Sequence, residues 1–172
     1  MITIKHAIFF IVSLLILSCT MLTANAQTEV DKELSSLTGI EPFYAVVNIE
    51  AGRSIAESNK LDIGNIQKSV QNKLSEEGIN IISNTKSNRR QQYPYLHIHI
   101  NAMANSTGYI PFSVQANFYQ PVSLELNSGK QMMASTWESG SVAIISPDRF
   151  DLFETSVMEA VADFISDYNR VN

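Results

Sequence analysis

Cysteine is nearly missing from this chain of 172 residues, Cys19 being the only one. A single thiol rules out an internal disulfide and any metal site built on several cysteines. Histidine is scarce as well, with three residues, so imidazole chemistry has few positions to draw on. No apolar run reaches the roughly 18 to 20 residues that a membrane-spanning helix needs. The longest, Ala7 to Leu17, is interrupted by Ser13. Basic charge is in deficit: 12 Lys and Arg stand against 17 Asp and Glu, a net charge of −5. The charges are scattered rather than blocked, which gives no support for a nucleic-acid partner or for docking on anionic lipid. No G-x-S-x-G elbow, H-E-x-x-H pair or phosphate-cradling glycine loop occurs, nor any internal repeat.

What the chain does have begins at its start. Lys5 supplies a positive region, Ala7 to Leu17 an apolar core, and Ala24-Asn25-Ala26 a small-x-small site before Gln27. This pattern predicts a secretory signal peptide over residues 1–26, cleaved between Ala26 and Gln27, and a mature chain with no transmembrane segment. A second reading competes. Ile16-Leu17-Ser18-Cys19 resembles a lipobox, in which Cys19 would be lipidated and become the new N-terminus. Ser18 suits that pattern, whereas Leu17 suits it poorly, so cleavage after Ala26 is preferred. The expected product is periplasmic or secreted, with lipid anchoring in the envelope through Cys19 as the alternative. Cleavage after Ala26 leaves no cysteine at all and, with Lys5 gone, a chain one unit more acidic.

Residues 27–40 are polar and weakly patterned and read as a flexible lead. Residues 41–172 read as a single α+β domain. Phe43, Ala45, Val47 and Ile49 alternate along a strand. Asp62 can cap a helix whose apolar stripe is Ile63, Ile66, Val70 and Leu74, with Gly78 as its stop. A short strand follows at Ile79 to Ile82, completing a β-α-β unit. After Pro94, Leu96, Ile98, Ile100 and Ala102 share one strand face, and His97, His99 and Asn101 the other. A second strand alternates from Phe112 to Leu126, with Pro121 calling for an edge or a bulge. Asn127 to Lys130 reads as a hairpin turn with Gly129 free for positive φ. The third strand of this meander runs through Trp137, with a bend at Gly140. Ser146-Pro147-Asp148 reads as a helix start, and Phe150, Phe153, Val157, Val161, Phe164, Ile165 and Tyr168 form a helical stripe beyond it. The expected architecture is a β-α-β unit, an antiparallel β-meander and a long C-terminal helix, with helices packed on one face of the sheet.

Chemistry is thin. His97 and His99 stand at i and i+2 on a strand, so both imidazoles point the same way and could share a metal. The remaining histidine, His6, lies in the leader, so a third ligand would be an acid or water. The alternative is two polar side chains on a wet face. Lys86, Arg89 and Arg90 share one loop and could hold an anionic group, or simply be solvated. Ser83-Asn84-Thr85-Lys86 matches an S-x-x-K spacing, but no K-T-G or S-D-N accompanies it. Asn105-Ser106-Thr107 is a glycosylation sequon, relevant only in a eukaryotic host. The acids Glu76, Glu77, Glu125, Glu138 and Asp148 show no pairing for hydrolysis. Trp137 and Tyr119 fit core or cross-strand packing. No cofactor is implied.

Helix Ile63 to Leu74, the turn Gly78-Ile79-Asn80-Ile81 and the segment Pro94-Tyr95-Leu96-His97-Ile98 together resemble a known envelope domain. It is the α+β domain shared by curli-secretion lipoproteins, lipoprotein activators of peptidoglycan synthases and the N-terminal domain of the translocation protein TolB. Thr136-Trp137 and the tail Phe164 to Asn172 resemble small exported proteins without an assigned function. The likeness spans Phe43 to Val171 as topology, carries no specific motif and transfers no functional residue. It implies a non-catalytic module working through an envelope protein partner. Two other expectations stand beside it: a small-ligand carrier with a pocket between the C-terminal helix and the sheet, and a hydrolase of an envelope polymer.

Overall fold

A computed structural model of the protein describes residues 30–52, 55, 61–82, 93–103, 106 and 108–172. The signal peptide expected from the sequence, with Cys19, Ala24 and Ala26, and Gln27 after it lie outside the described residues. So do the loop with Ser83, Lys86, Arg89 and Arg90, and Asn105 and Thr107 of the sequon. Among the described residues the main elements follow in the order α1 (residues 30–35), β1 (Tyr44–Ala51), α2 (Ile63–Glu76), β2 (Tyr95–Ala102), β3 (Ile110–Leu124), β4 (Asn127–Ile145) and α3 (Asp151–Val171).

The sheet order is β1-β2-β3-β4. β1 and β2 run parallel, which the crossover through α2 allows, whereas β2, β3 and β4 form an antiparallel meander. Residues 79–82 add one parallel bridge, Ile81 to Phe43, outside β1. Strict alternation then decides what is buried. Leu96, Ile98 and Ile100 of β2 and Val114, Ala116 and Phe118 of β3 are sealed beneath the helices. Against them pack Ile66, Val70 and Leu74 of α2 and Phe153, Val157, Phe164 and Tyr168 of α3. The fold is α+β, with a meander and a C-terminal helix on the sheet.

Local signals explain the helix ends. Asp62 accepts the Asn65 N–H at 3.0 Å and caps α2. Gly78 takes φ +80°, and Ile79 N–H bonds back to the Leu74 carbonyl at 3.1 Å, closing the C-terminus. α3 begins later than its sequence suggests. The Ser146 hydroxyl donates to Asp148, the Arg149 N–H closes a turn on the Ser146 carbonyl, and regular helix starts only at Asp151. The hairpin also differs. Glu125 and Leu126 make the reversal, Leu124 pairs with Asn127, and the residues around Gly129 are absorbed in a register shift of β4. Gly140, expected as a bend, is a paired residue of the strand, opposite Gln115. It passes within β4, where an added Cβ would lie 3.0 Å from the Val114 carbonyl oxygen. Pro121 stands beyond the last β2 partner, Tyr119, on a stretch of β3 that pairs with β4 alone.

Residues 30–40 are not a flexible lead. They form α1 and a turn, with Leu37 fully buried and Leu34 nearly so. Two leucines three positions apart suffice to seat one helical turn, too short a stripe to stand out in a polar stretch. The docking also closes a sheet edge. The Ser36 hydroxyl donates to the Thr136 carbonyl at 3.1 Å, and Glu33 accepts the Glu138 N–H at 2.7 Å. The opposite edge is treated alike. The Gln67 side chain of α2 accepts the Val47 N–H and donates to the Ala45 carbonyl, both at 2.8 Å. An amide in this position imitates the strand that β1 lacks.

Two outcomes follow for stability. Phe164→Ala should cost about 3 to 5 kcal/mol in denaturant unfolding, since the ring is wholly buried among other aromatics. Gln67→Leu should cost about 1 kcal/mol, because it strips both partners from the β1 edge without removing bulk. Retained stability in the second variant would show that water replaces the amide at that edge.

Candidate functional site

The face of the sheet turned away from the helices carries the residues with chemical character. Cross-strand register sets them in rows. Tyr44, Tyr95 and Tyr119 form one, Val46, His97 and Asn117 the next, then Asn48, His99 and Gln115, and then Glu50, Asn101 and Ser113. At one end Tyr95 and Tyr119 stack, with ring centroids 5.0 Å apart and planes 15° from parallel. His97 borders both tyrosines at 6.4 and 6.2 Å, and His99 lies 5.9 Å further along. Tyr93 meets Tyr44 edge to face at 6.0 Å. The result is a band of tyrosine and imidazole rings in which Tyr44 is buried and Tyr93, Tyr95, Tyr119 and His97 are half-buried, with a polar field of Asn48, Gln115, Asn101 and Ser113 beyond it.

The Asn48 amide nitrogen lies 3.1 Å from His97 Nε2. In the neutral tautomer with hydrogen on Nδ1, Nε2 accepts that amide N–H. Burial pushes the His97 imidazole below its ordinary value, and the adjacent His99 pushes it the same way. Burial also raises the Tyr95 phenol, with Tyr119 adding to it, so both groups favour the uncharged form. Glu50 approaches His99 at 3.9 Å. Among the described residues no group of three or more His, Cys, Asp or Glu is arranged to hold a metal ion. His97 and His99 do share one face as their spacing requires, but among the described residues no third side chain joins them in such a group.

Elsewhere the surface has shallow clefts. One, of about 600 Å³, lies between α1 and β4 and is lined by Lys32, Glu33, Ser36, Thr136, Trp137 and Glu138. Another, of about 220 Å³, lies between β4 and α3 and contains Asp163 and Asp167. Both of those acids already serve the fold: Asp163 accepts the Ser139 hydroxyl and Asp167 the Trp137 indole N–H, each at 2.9 Å. Glu77 pairs with Lys73, Asp148 accepts from Ser146, and Glu125 sits at the hairpin tip, so these acids do not converge. The space between α3 and the sheet is filled by Phe43, Phe118, Phe153 and Phe164. Trp137 is core, and Tyr119 is cross-strand packing on the open face. The Tyr95–Tyr119 pair itself was hidden in the sequence, because alternation assigns a face but not a neighbour. In comparisons with known proteins, no family model matches this chain and no curated protein does. No described helix is long and apolar enough to cross a membrane.

The lowered His97 value has a testable sign. The folded protein disfavours the imidazolium, so the unfolded chain binds more protons near neutral pH. The stabilisation is therefore complete above the unfolded value of about 6.5 and is lost as pH falls through it toward the folded value. The midpoint of thermal unfolding should fall between pH 7.5 and 5.5, and His97→Gln should flatten that dependence. An unchanged slope in the variant would assign the effect to other groups.

Proposed function

We propose that this chain is an exported, non-catalytic binding module of the cell envelope, and that a protein partner docks on the open face of its sheet. One observation carries the reading. The helix-bearing face is packed with apolar side chains, while the opposite face presents a tyrosine and imidazole band with no element of the described fold laid over it. Tyrosine supplies large, rigid contact area with a polar tip and is enriched in the core of protein interfaces. The leader supports export, and the topological resemblance to envelope lipoprotein domains supports an assembly role rather than a catalytic one. The filled space beneath α3 speaks against a carrier with a deep apolar pocket. The separation of the acids speaks against a hydrolase.

The processed form and the docking face are measured separately. Intact mass of the protein from its host should begin at Gln27. A mass beginning at Cys19 with acyl chains would replace the free module by a lipid-anchored one. A photo-crosslinking residue at Gln115, on the open face, should give one discrete adduct in the host envelope. The same probe at Glu159, exposed on α3, should not. Tyr95→Ala with Tyr119→Ala should weaken capture about tenfold or more. Equal adducts from both faces, or none from Gln115, would overturn the docking face.

A further inference from the structure

The geometry points to a second interaction surface, independent of the open face: the free edge of β4 from Gly140 to Ile144 pairs antiparallel with the same edge of a second copy, about a two-fold axis at Val142.

The edge is defined by what covers the rest of it. Thr136 and Glu138 direct backbone groups away from β3, because Ser36, just after α1, and Glu33 of α1 bind them there. Residues two apart point the same way, so Gly140, Val142 and Ile144 direct theirs outward too. Among the described residues no hydrogen bond reaches that side of β4 between Ser139 and Ile145. The window opens beyond Glu138, whose N–H is taken by Glu33, and its outward residues within β4 are Gly140, Val142 and Ile144, which centre it on Val142.

The segment Ser139-Gly140-Ser141-Val142-Ala143-Ile144-Ile145 has none of the devices that normally blunt an edge. It carries no charge, no proline and no register shift. Val142 is 81% and Ile144 69% exposed, an unusual state for β-branched residues on a paired strand. β1 and the lower half of β4 both have side chains standing in for a missing strand, so the bare stretch is an exception within the same molecule.

Self-pairing fits the side chains better than a foreign strand would need to. With Val142 opposite its own copy, Ile144 falls opposite Gly140, so the largest exposed side chain meets the residue that has none. Both lie on the open face. Glu138 then lies opposite Ser146. A register centred one residue later would set Glu138 against Asp148, two acids in a chain of net charge −5. The centred register makes about six interstrand hydrogen bonds. It joins two four-stranded sheets into one with both open faces on the same side.

The test uses charge at the axis. Val142 is solvent-exposed, so Val142→Lys and Val142→Glu leave the fold intact, which circular dichroism confirms. The wild-type protein, as its host processes it, should sediment as a dimer at about 100 μM. Each variant alone should be monomeric, because like charges face each other across the axis. An equimolar mixture should restore the dimer, since only a residue opposite itself turns repulsion into attraction in this way. A monomeric wild type overturns the proposal and leaves the edge to a foreign strand. Dimers that survive in the single variants place the contact elsewhere. Monomeric variants whose mixture stays monomeric overturn the axis at Val142.

Discussion

The Phe164 ring is the point on which the rest of the molecule turns. It lies on α3 with no exposure and meets Phe43 at 5.6 Å, Phe118 at 5.5 Å and Trp137 at 5.1 Å. Those partners come from the residue just before β1, from β3 and from β4, so one side chain registers three parts of the fold against one helix. Trp137 stands opposite Phe118 in the β3–β4 ladder and anchors its indole N–H on Asp167, one helical turn beyond Phe164. Tyr168 completes the arrangement. Its hydroxyl lies 3.1 Å from both the Ile40 carbonyl and the Glu41 carboxylate. Burial, with Glu41 adding to it, pushes the phenol up to about 12, so it stays a neutral donor at any physiological pH. An aromatic cluster of this kind holds α3 by shape as well as by area, because edge-to-face contacts are directional.

Gathering all the apolar mass on one side has a consequence for the other. With α2 and α3 on one face and α1 docked at the β4 edge, no described helix lies over the second face, which is left to solvent or a partner. The same shortage appears at the edges, where single side chains are recruited in place of strands. Gln67 binds both an N–H and a carbonyl of β1, and Ser36 with Glu33 does the same for β4. Asn172 performs a related service, accepting the Gly39 N–H and donating to the Leu37 carbonyl, so that the chain end ties down the turn after α1. Polar side chains here finish backbone hydrogen bonding that the short sheet leaves open.

Much of this was legible in the residues, for reasons that also mark its limits. Leu96, Ile98 and Ile100 announce a one-sided strand because the pleat has a period of two, and Asp62 and Gly78 announce helix ends because their chemistry is local. What failed to show depends on partners distant in sequence. The seat of α1 rests on Leu34 and Leu37 meeting a core assembled from residues far along the chain. Gly129 looked like a turn and Gly140 like a bend, yet Gly129 falls in the register shift of β4 and Gly140 pairs with Gln115 of β3. The site divides along the same line. That His97 and His99 share a face follows from spacing alone, whereas the stacking of Tyr95 on Tyr119 requires the β2–β3 register, which no local pattern encodes.

The two surfaces proposed for this protein do not compete for space. The tyrosine band looks out along the sheet normal, while the free edge of β4 lies in the sheet plane on the side away from β1. A partner on the first leaves the second unobstructed. A two-fold axis perpendicular to the sheet keeps both open faces on one side, so a paired molecule would present two copies of the band in a fixed relation. Docking a repetitive or multimeric partner would then gain from the second contact being intramolecular. This gain requires no stronger interaction at either face. On the proposed reading, a modest binding face would hold its partner firmly by that route, and the edge of β4 would supply the means.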